Sequence, residues 1–368
     1  MKKYRVAQVG VGGRGKVHAN AFLNLSDRFE MVGLCDLDHQ KLMNYSESKQ
    51  LPDSILYDDA DKMLSETRPD VFCFITQPTI RLELVQLAVK YKVKGLAFEK
   101  PMARSLEEAL TITELCRHND VKAIVSHQQK YLTSLQKVKE IVDDGEIGEV
   151  REVHGSSTAN LTNLGTHYMD YVMWANGGER ARWVIGHIHG TRELDHSHPS
   201  PDFFLARMEF ENGVHGLLEI GVLSPKYMGK NAPTWLDNRL TVYGTHGYVW
   251  GDTDGRWGAF TRASKGEALT GSGPGYDPEK LGLGWEKQQS EFIQTPYLCD
   301  LAKWLDDDKA IHPCNVEISY HGFEVLSAAC LSAIDNTRID LPMPEPKLAA
   351  DVFHRMKEAF KDVPLLAK

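Results

Sequence analysis

Apolar residues follow two rhythms along this chain, and the rhythm changes once. In the first third, short runs rich in β-branched and aromatic residues alternate with stretches whose apolar positions recur at helical spacing. Tyr4–Val9, Phe29–Cys35, Val71–Ile75, Gly95–Phe98 and Ala123–Val125 read as strands. Helices are predicted over Lys16–Leu25, from beyond Cys35 to about Gln50, and over Ile80–Tyr91, where Leu84, Leu87 and Ala88 share a face. Ser105-Leu106-Glu107-Glu108 is a capping box that opens a further helix to about His118. Val71–Ile75 is apolar throughout, as a strand covered on both faces should be. Strands that alternate with helices predict a parallel, doubly wound sheet.

After about His127 the pattern shifts. A helix is predicted over about Leu132–Val142, closed by the turn Asp144-Gly145. Longer segments of strand character follow at Val150–Ser156, Trp183–His189, Phe203–Phe210, Val214–Gly221, Leu240–Tyr243 and Tyr248–Trp250. Glu211-Asn212-Gly213 between two of them is a hairpin signal. The expected outcome is an α+β region with a large, mostly antiparallel sheet and helices on one face. Residues 262–286, rich in glycine and polar side chains, read as a surface loop. Helices near Gln288–Leu305 and Ser319–Asn336, an extended Leu341–Pro346 and an amphipathic helix over about Leu348–Phe360 complete the chain. No internal repeat is evident. The boundary falls between 127 and 128, giving an α/β domain over 1–127 and an α+β domain over 128–368.

Composition narrows the classes. A chain of 368 residues exceeds a typical single domain and suits two. With 42% hydrophobic and 25% charged residues it reads as soluble and globular. The net charge of −9 argues against nucleic acid as a partner. The start, MKKYRVAQVGVGGRG, is basic then apolar, but the apolar stretch stops at a Gly/Arg cluster, so no signal peptide is expected. No apolar run is long enough to span a bilayer. The six cysteines are scattered without a C-x-x-C, which predicts reduced thiols of a cytoplasmic protein and neither a disulfide frame nor a metal site.

Candidate chemistry begins at Gly10-Val11-Gly12-Gly13-Arg14-Gly15, a G-x-G-x-x-G that follows a predicted strand and opens a predicted helix. Gly10 suits a tight turn, Gly12 a close approach of backbone to a pyrophosphate, and Gly15 a close helix–strand contact. The helix N-terminus adds N–H groups and partial positive charge. Gly10, Gly12, Gly13, Arg14 and Gly15 are therefore the expected phosphate-contacting residues of a Rossmann domain. Asp36 ends the second predicted strand, 21 residues beyond Gly15. A carboxylate there accepts hydrogen bonds from both adenosine ribose hydroxyls and repels a 2′-phosphate, which favours NAD over NADP. It could instead cap the helix that follows. Glu99-Lys100-Pro101 lies at the carboxyl end of a strand, where open parallel sheets bind ligands. Lys100 there is near the reacting end of a dinucleotide or is a solvated loop lysine.

The glycine loop, His18, Asp36, the strand that ends in Thr76-Gln77-Pro78, and Glu99-Lys100-Pro101 together resemble the Gfo/Idh/MocA family of oxidoreductases. That family includes glucose–fructose oxidoreductase and inositol dehydrogenase. Gly165-Thr166-His167-Tyr168-Met169-Asp170 resembles its G-x-H-x-x-D helix, so the similarity covers nearly the whole chain. The resemblance implies that Lys100 and His167 flank a substrate hydroxyl. It places Thr76, Gln77, Pro78, Glu99 and Gln128 along NAD, and assigns Asn163 and Asp170 to the substrate side. It also implies a homo-oligomer, dimer or tetramer, built on the open face of the second sheet. An imidazole at His167 suits proton transfer near neutral pH.

The chain departs from the family pattern at three places. Asn163 stands where an aspartate is common, Arg81 where a histidine is common, and Lys130 where an arginine is common. An asparagine cannot serve as a base. His187, His189, His196 and His198 cluster in sequence, but no cysteine or carboxylate completes a ligand set. Tyr227, Trp235, Trp257 and Trp285 read as packing aromatics or sugar-stacking rings, and Lys226, Lys230 and Arg239 as surface charges or contacts for an anionic sugar.

The expected activity is hydride transfer between NAD and a secondary hydroxyl of a sugar or polyol. One alternative is a redox-neutral glycoside hydrolase that oxidises, eliminates, hydrates and re-reduces. The other is a nucleotide-sensing protein without catalysis.

Overall fold

The computed structural model describes residues 2–192, 199–228, 233–275, 284–345, 349 and 351–366. They fall into two compact units. One gathers residues 1–104, 108–131 and 282–319; the other gathers 105–107, 132–281 and 320–368.

The first unit is built on β1 (Tyr4–Val9), β2 (Phe29–Cys35), β3 (Leu56–Tyr57), β4 (Val71–Phe74), β5 (Gly95–Phe98) and β6 (Lys122–Val125). Their order in the sheet is β3-β2-β1-β4-β5-β6, and every pair is parallel. The order reverses between β1 and β4, which sets a crevice at the carboxyl ends of the strands. β3 has two residues, too few for any period, so the apolar pattern passes over it.

The segment 282–319 joins this unit for a packing reason. Helix Thr295–Asp306 turns Tyr297, Leu298, Leu301 and Ala302 into one core with Tyr4, Phe22, Phe29, Val71 and Ile124. Helical spacing shows that such a helix has an apolar face; it does not show which sheet that face covers. Arg28, itself buried, fixes the contact by pairing with Asp306 at 2.5 Å.

The second unit carries β7 (Val150–Ser157), β8 (Ala181–Arg192), β9 (Ser200–Phe210), β10 (His215–Gly221), β11 (Asn238–Gly244), β12 (Tyr248–Asp252), β13 (Arg256–Phe260), β14 (Leu269–Ser272) and β15 (Ile339–Asp340). Their order is β14-β13-β12-β11-β7-β10-β9-β8-β15. The β7–β10 pair is parallel and the others are antiparallel. β14 lies inside the stretch expected to be loop, because an exposed edge strand of Leu-Thr-Gly-Ser has no alternation to betray it.

Burial alternates along β8. Val184 and Ile188 are buried, while Ile185 is 47% exposed and His187 is exposed on the opposite face. One face therefore meets the core and the other is open. All six cysteines are free thiols. Among the described residues no helix is long and apolar enough to cross a membrane.

Candidate active site

The glycine loop has the shape its sequence requires. Gly10 sits at φ +92°, a conformation that side chains disfavour, and a Cβ there would lie 2.4 Å from Ile75 O. A Cβ on Gly15 would lie 2.2 Å from Gly10 O, so this helix turn touches the loop backbone directly. Gly12 and Gly13 face open space, with nothing within 4 Å of a built Cβ. Helix Gly13–Asn24 begins here, three residues before its predicted start. Its first-turn N–H groups have no partner within the helix. Buried Gln8 holds the loop from beneath, with Nε2 donating to Gly10 O and Gly15 O at 2.8 Å each.

Asp36 is tied to that loop. Its Oδ2 accepts from Val11 N at 2.8 Å and its Oδ1 from Asp38 N at 3.0 Å. The cap of the next helix is Asp38, which accepts from Lys41 N at 3.0 Å, so Asp36 is not spent on capping. A glycine loop with open space over Gly12 and Gly13, an open helix start and a carboxylate at the end of β2 fit NAD.

Beside the cradle lies a cluster of charges. Glu99 accepts from Arg14 Nε at 3.2 Å and pairs with His18 Nε2 at 3.3 Å. Gln294 Nε2 lies 3.2 Å from His18 Nδ1 and donates to it, so the proton of the neutral ring sits on Nε2 and points at Glu99. Burial pushes the His18 imidazole below its usual value, against the pull of Glu99. Burial opposes charge on Glu99 too, but Arg14, His18 and Lys100 outweigh it and hold the carboxyl well below the usual range.

The Arg14 side chain is thus directed onto Glu99. Gln289 Oε1 and Gln294 Oε1 receive its Nη1 and Nη2 at 3.4 and 3.5 Å, and the ring of Trp285 lies 5.6 Å from its guanidinium carbon. With its amide oxygen toward Arg14, Gln128 accepts from Nη2 at 2.6 Å and donates to Ser126 O at 2.6 Å. Sequence reasoning did not find Gln289 or Gln294; glutamines in a late helix carry no local signal for a partner in the first loop.

Lys100 follows β5 and is partly buried. Burial draws its amine below the usual lysine value; Glu99 opposes this, and Arg14 and Arg81 add to it. Thr76, Gln77 and Pro78 follow β4, and the buried Thr76 Oγ1 has no hydrogen-bond partner among the described residues. Lys130 is fully buried and donates to Pro313 O at 2.6 Å, a structural tie to the late segment.

The second unit presents Asn163, His167 and Asp170 on one continuous turn and helix. A π-helical turn at Leu161–Gly165, capped by Asn160, leads into helix Thr166–Ala175. Asn163 is exposed, whereas His167 and Asp170 are buried. Tyr171, one turn beyond His167, places its hydroxyl 2.8 Å from His167 Nδ1. The i,i+4 spacing made this pair legible, but the sequence reading missed it.

The weaker candidates separate. His187 and His189 do share one face of β8, and His189 Nε2 is 3.0 Å from Pro364 O. Among the described residues no group of three or more His, Cys, Asp or Glu could hold a metal. His196, His198 and Lys230 lie outside the described residues. Arg239 is stacked between the rings of Tyr227 and Trp250, with its guanidinium carbon 4.0 and 3.8 Å from the ring centres.

Residues 4–127 match the NAD-binding Rossmann domain of the Gfo/Idh/MocA oxidoreductases, and residues 157–250 match the C-terminal domain of the same family. The chain belongs to the Gfo/Idh/MocA family. Its first unit holds nearly all of the stretch that matches the family's NAD-binding Rossmann domain. Among similar Gfo/Idh/MocA proteins, D-xylose 1-dehydrogenase (NADP(+)) of Haloarcula marismortui is 25% identical over 161 residues, 44% of each chain. The 2,7-anhydro-N-acetylneuraminate hydratase of Escherichia coli is 24% identical over 273 residues, 66% of this chain and 65% of that one. The matched stretch thus spans less than half of the first relative's length. In structure, an oxidoreductase from Agrobacterium radiobacter in complex with NAD+, L-tartaric acid and magnesium superposes with a TM-score of 0.76 at 17% identity, covering 92% of this chain and 98% of the other. That likeness establishes the shared fold.

Proposed function

We propose that this family member is an NAD-dependent dehydrogenase acting on a secondary hydroxyl of a sugar or polyol. The observation that carries the reading is Lys100 beside Glu99 at the carboxyl end of β5, on the sheet edge where β1 leads into the glycine loop and β2 into Asp36, with its amine drawn below the usual value by burial. When bound, NAD supplies the hydride acceptor. Gly10, Gly12, Gly13 and Gly15 would hold the pyrophosphate, and Asp36 the ribose. Thr76, Gln77, Pro78 and Gln128 would line the cofactor. Glu99 and Arg14 set the charge around Lys100. Lys100 takes the hydroxyl proton, and His167 is the second proton carrier, steadied by Tyr171. Asn163 hydrogen-bonds a hydroxyl without taking its proton, and Asp170 orients the helix.

A redox-neutral variant is the second reading. Asn163 cannot serve as a base, and a relative of comparable similarity is named a hydratase. In that variant one hydroxyl is oxidised, a neighbouring C–H and leaving group are eliminated, water adds and the carbonyl is reduced again. The alternating apolar residues Ile185, Leu205 and Leu217 on the open sheet face support a homodimer or homotetramer joined there. Buried free thiols support a cytoplasmic location.

The test is turnover of a panel of sugars, polyols and glycosides with NAD, counting NADH formed per product. A ratio near one supports the dehydrogenase; many turnovers with almost no NADH support the redox-neutral route. Lys100→Met should lower kcat by about 10²–10⁴ with NAD binding retained. Unchanged function in that variant would instead favour nucleotide sensing.

A further inference from the structure

Arg81 is a buried cation in a place that does not favour one. It is the first residue of helix Arg81–Lys90 and is 2% exposed. A helix N-terminus carries partial positive charge, which disfavours a second one. Burying a guanidinium adds a desolvation cost unless its donors are matched. Here Nη2 donates to Thr76 O at 3.0 Å and to Lys100 O at 3.4 Å. Nε and Nη1 find no hydrogen-bond partner among the described residues. A residue that breaks several local rules at once marks a site selected for something other than stability.

The two carbonyls it touches belong to the segments that leave β4 and β5, neighbouring parallel strands. We propose that Arg81 is a positioning residue for Lys100: its guanidinium bridges the Thr76 and Lys100 carbonyls and fixes where the lysine leaves its strand. The assignment rests on the reading of Lys100 as a proton carrier. It has an electrostatic corollary. Burial draws the Arg81 guanidinium down to about 10, so it stays charged near neutral pH. Around the Lys100 amine, Glu99 favours the ammonium while Arg14 and Arg81 oppose it. His18 faces Glu99 as a neutral ring, and Glu99 and Glu108 both act on Arg81. Removing Arg81 deletes one of the two opposing cations.

Lys100 can be titrated without knowing the substrate. Competitive acetylation of the full-length protein with acetic anhydride across a pH series, read at the Lys100 peptide by mass spectrometry, gives the amine's midpoint. Arg81→Met should move that midpoint up by about one pH unit, a tenfold gain in proton affinity. Arg81→Lys, which keeps the charge, should restore most of the difference. NADH affinity, followed by fluorescence, should change less than about threefold in both. A merely structural role would lower the melting temperature and leave the midpoint in place. An unmoved Lys100 midpoint in Arg81→Met overturns the assignment. Should that variant fail to fold, Arg81→Gln makes the same comparison with a neutral donor, and an unmoved midpoint there counts equally against it. Full turnover by Lys100→Met would sink the proton-carrier reading separately, because the acetylation midpoint does not depend on turnover.

Discussion

Lys100 and His167 occupy opposite settings. Lys100 lies in a mesh where Arg14, His18, Glu99 and Arg81 each set the charge state of another. His167 lies on a helix whose buried neighbours are Tyr168, Met169 and Val172, with its ring tied to a phenol. The difference teaches that the two side chains are held by different means. In the Rossmann unit the hold is electrostatic, so one altered charge is felt at several side chains. In the second unit it is a hydrogen bond of fixed geometry. Changes in the first should therefore be read in pH dependence and cofactor binding, and changes in the second in turnover alone.

The largest effect is expected at the glycine loop. In Gly15→Ala the new methyl would meet Gly10 O at 2.2 Å, a backbone atom that cannot swing aside. The loop or the helix must shift, which should cost about 3 kcal/mol of stability. NADH affinity should fall about 100-fold as the cradle opens. Fluorescence titration and a denaturant melt check both. Near-native affinity would show that the loop is not the pyrophosphate cradle, and the contrast between the two units would lose its first term.

A middle-sized effect is expected at His18. Its folded-state pKa lies below the unfolded value near 6.5, so below about that pH the unfolded chain takes up a proton that the fold refuses. Stability should then fall with decreasing pH, by up to about 1.4 kcal/mol per pH unit. Glu99 acts in another window: its depressed pKa contributes stability above the ordinary carboxylate range, lost only as pH falls toward the folded value. Denaturant melts at a series of mildly acidic pH values should therefore show a steeper loss in the native chain than in His18→Gln. Parallel curves would mean that His18 is not held neutral, and the mesh would be looser than described.

The legibility of these regions in the sequence follows the same divide. Gly10 and Gly15 could be read because they stand at fixed offsets within one strand–turn–helix motif. Asp36 and Lys100 could be read because parallel strands announce their carboxyl ends. What surrounds them could not. Gln289 and Gln294 reach Arg14 across 275 and 280 residues, and no period or motif links such positions. Helix Thr295–Asp306 shows its apolar face plainly, yet only the structure reveals that this face closes the Rossmann core. β3 and β14 are too short or too polar for alternation to register. Arg81 could be seen as a departure from the family pattern, but its burial could not.

Tyr171 offers the smallest effect and the sharpest test of the second unit. A phenol can donate to His167 Nδ1 or accept from it. When it accepts from Nδ1–H, Nε2 is left bare and acts as a base, and the imidazolium formed when Nε2 takes a proton keeps that same bond while it gives the proton back as an acid. One partner thus serves both halves of a proton transfer without moving. Tyr171→Phe keeps the buried ring and removes that service, so the melting curve should barely change. The loss of one buried hydrogen bond, about 1 kcal/mol, should lower kcat about fivefold. NADH affinity should be untouched, since the residue belongs to the other unit. A variant with native kcat would show that His167 takes its orientation from packing alone. One that loses NADH affinity would show that the units do not divide the work as proposed.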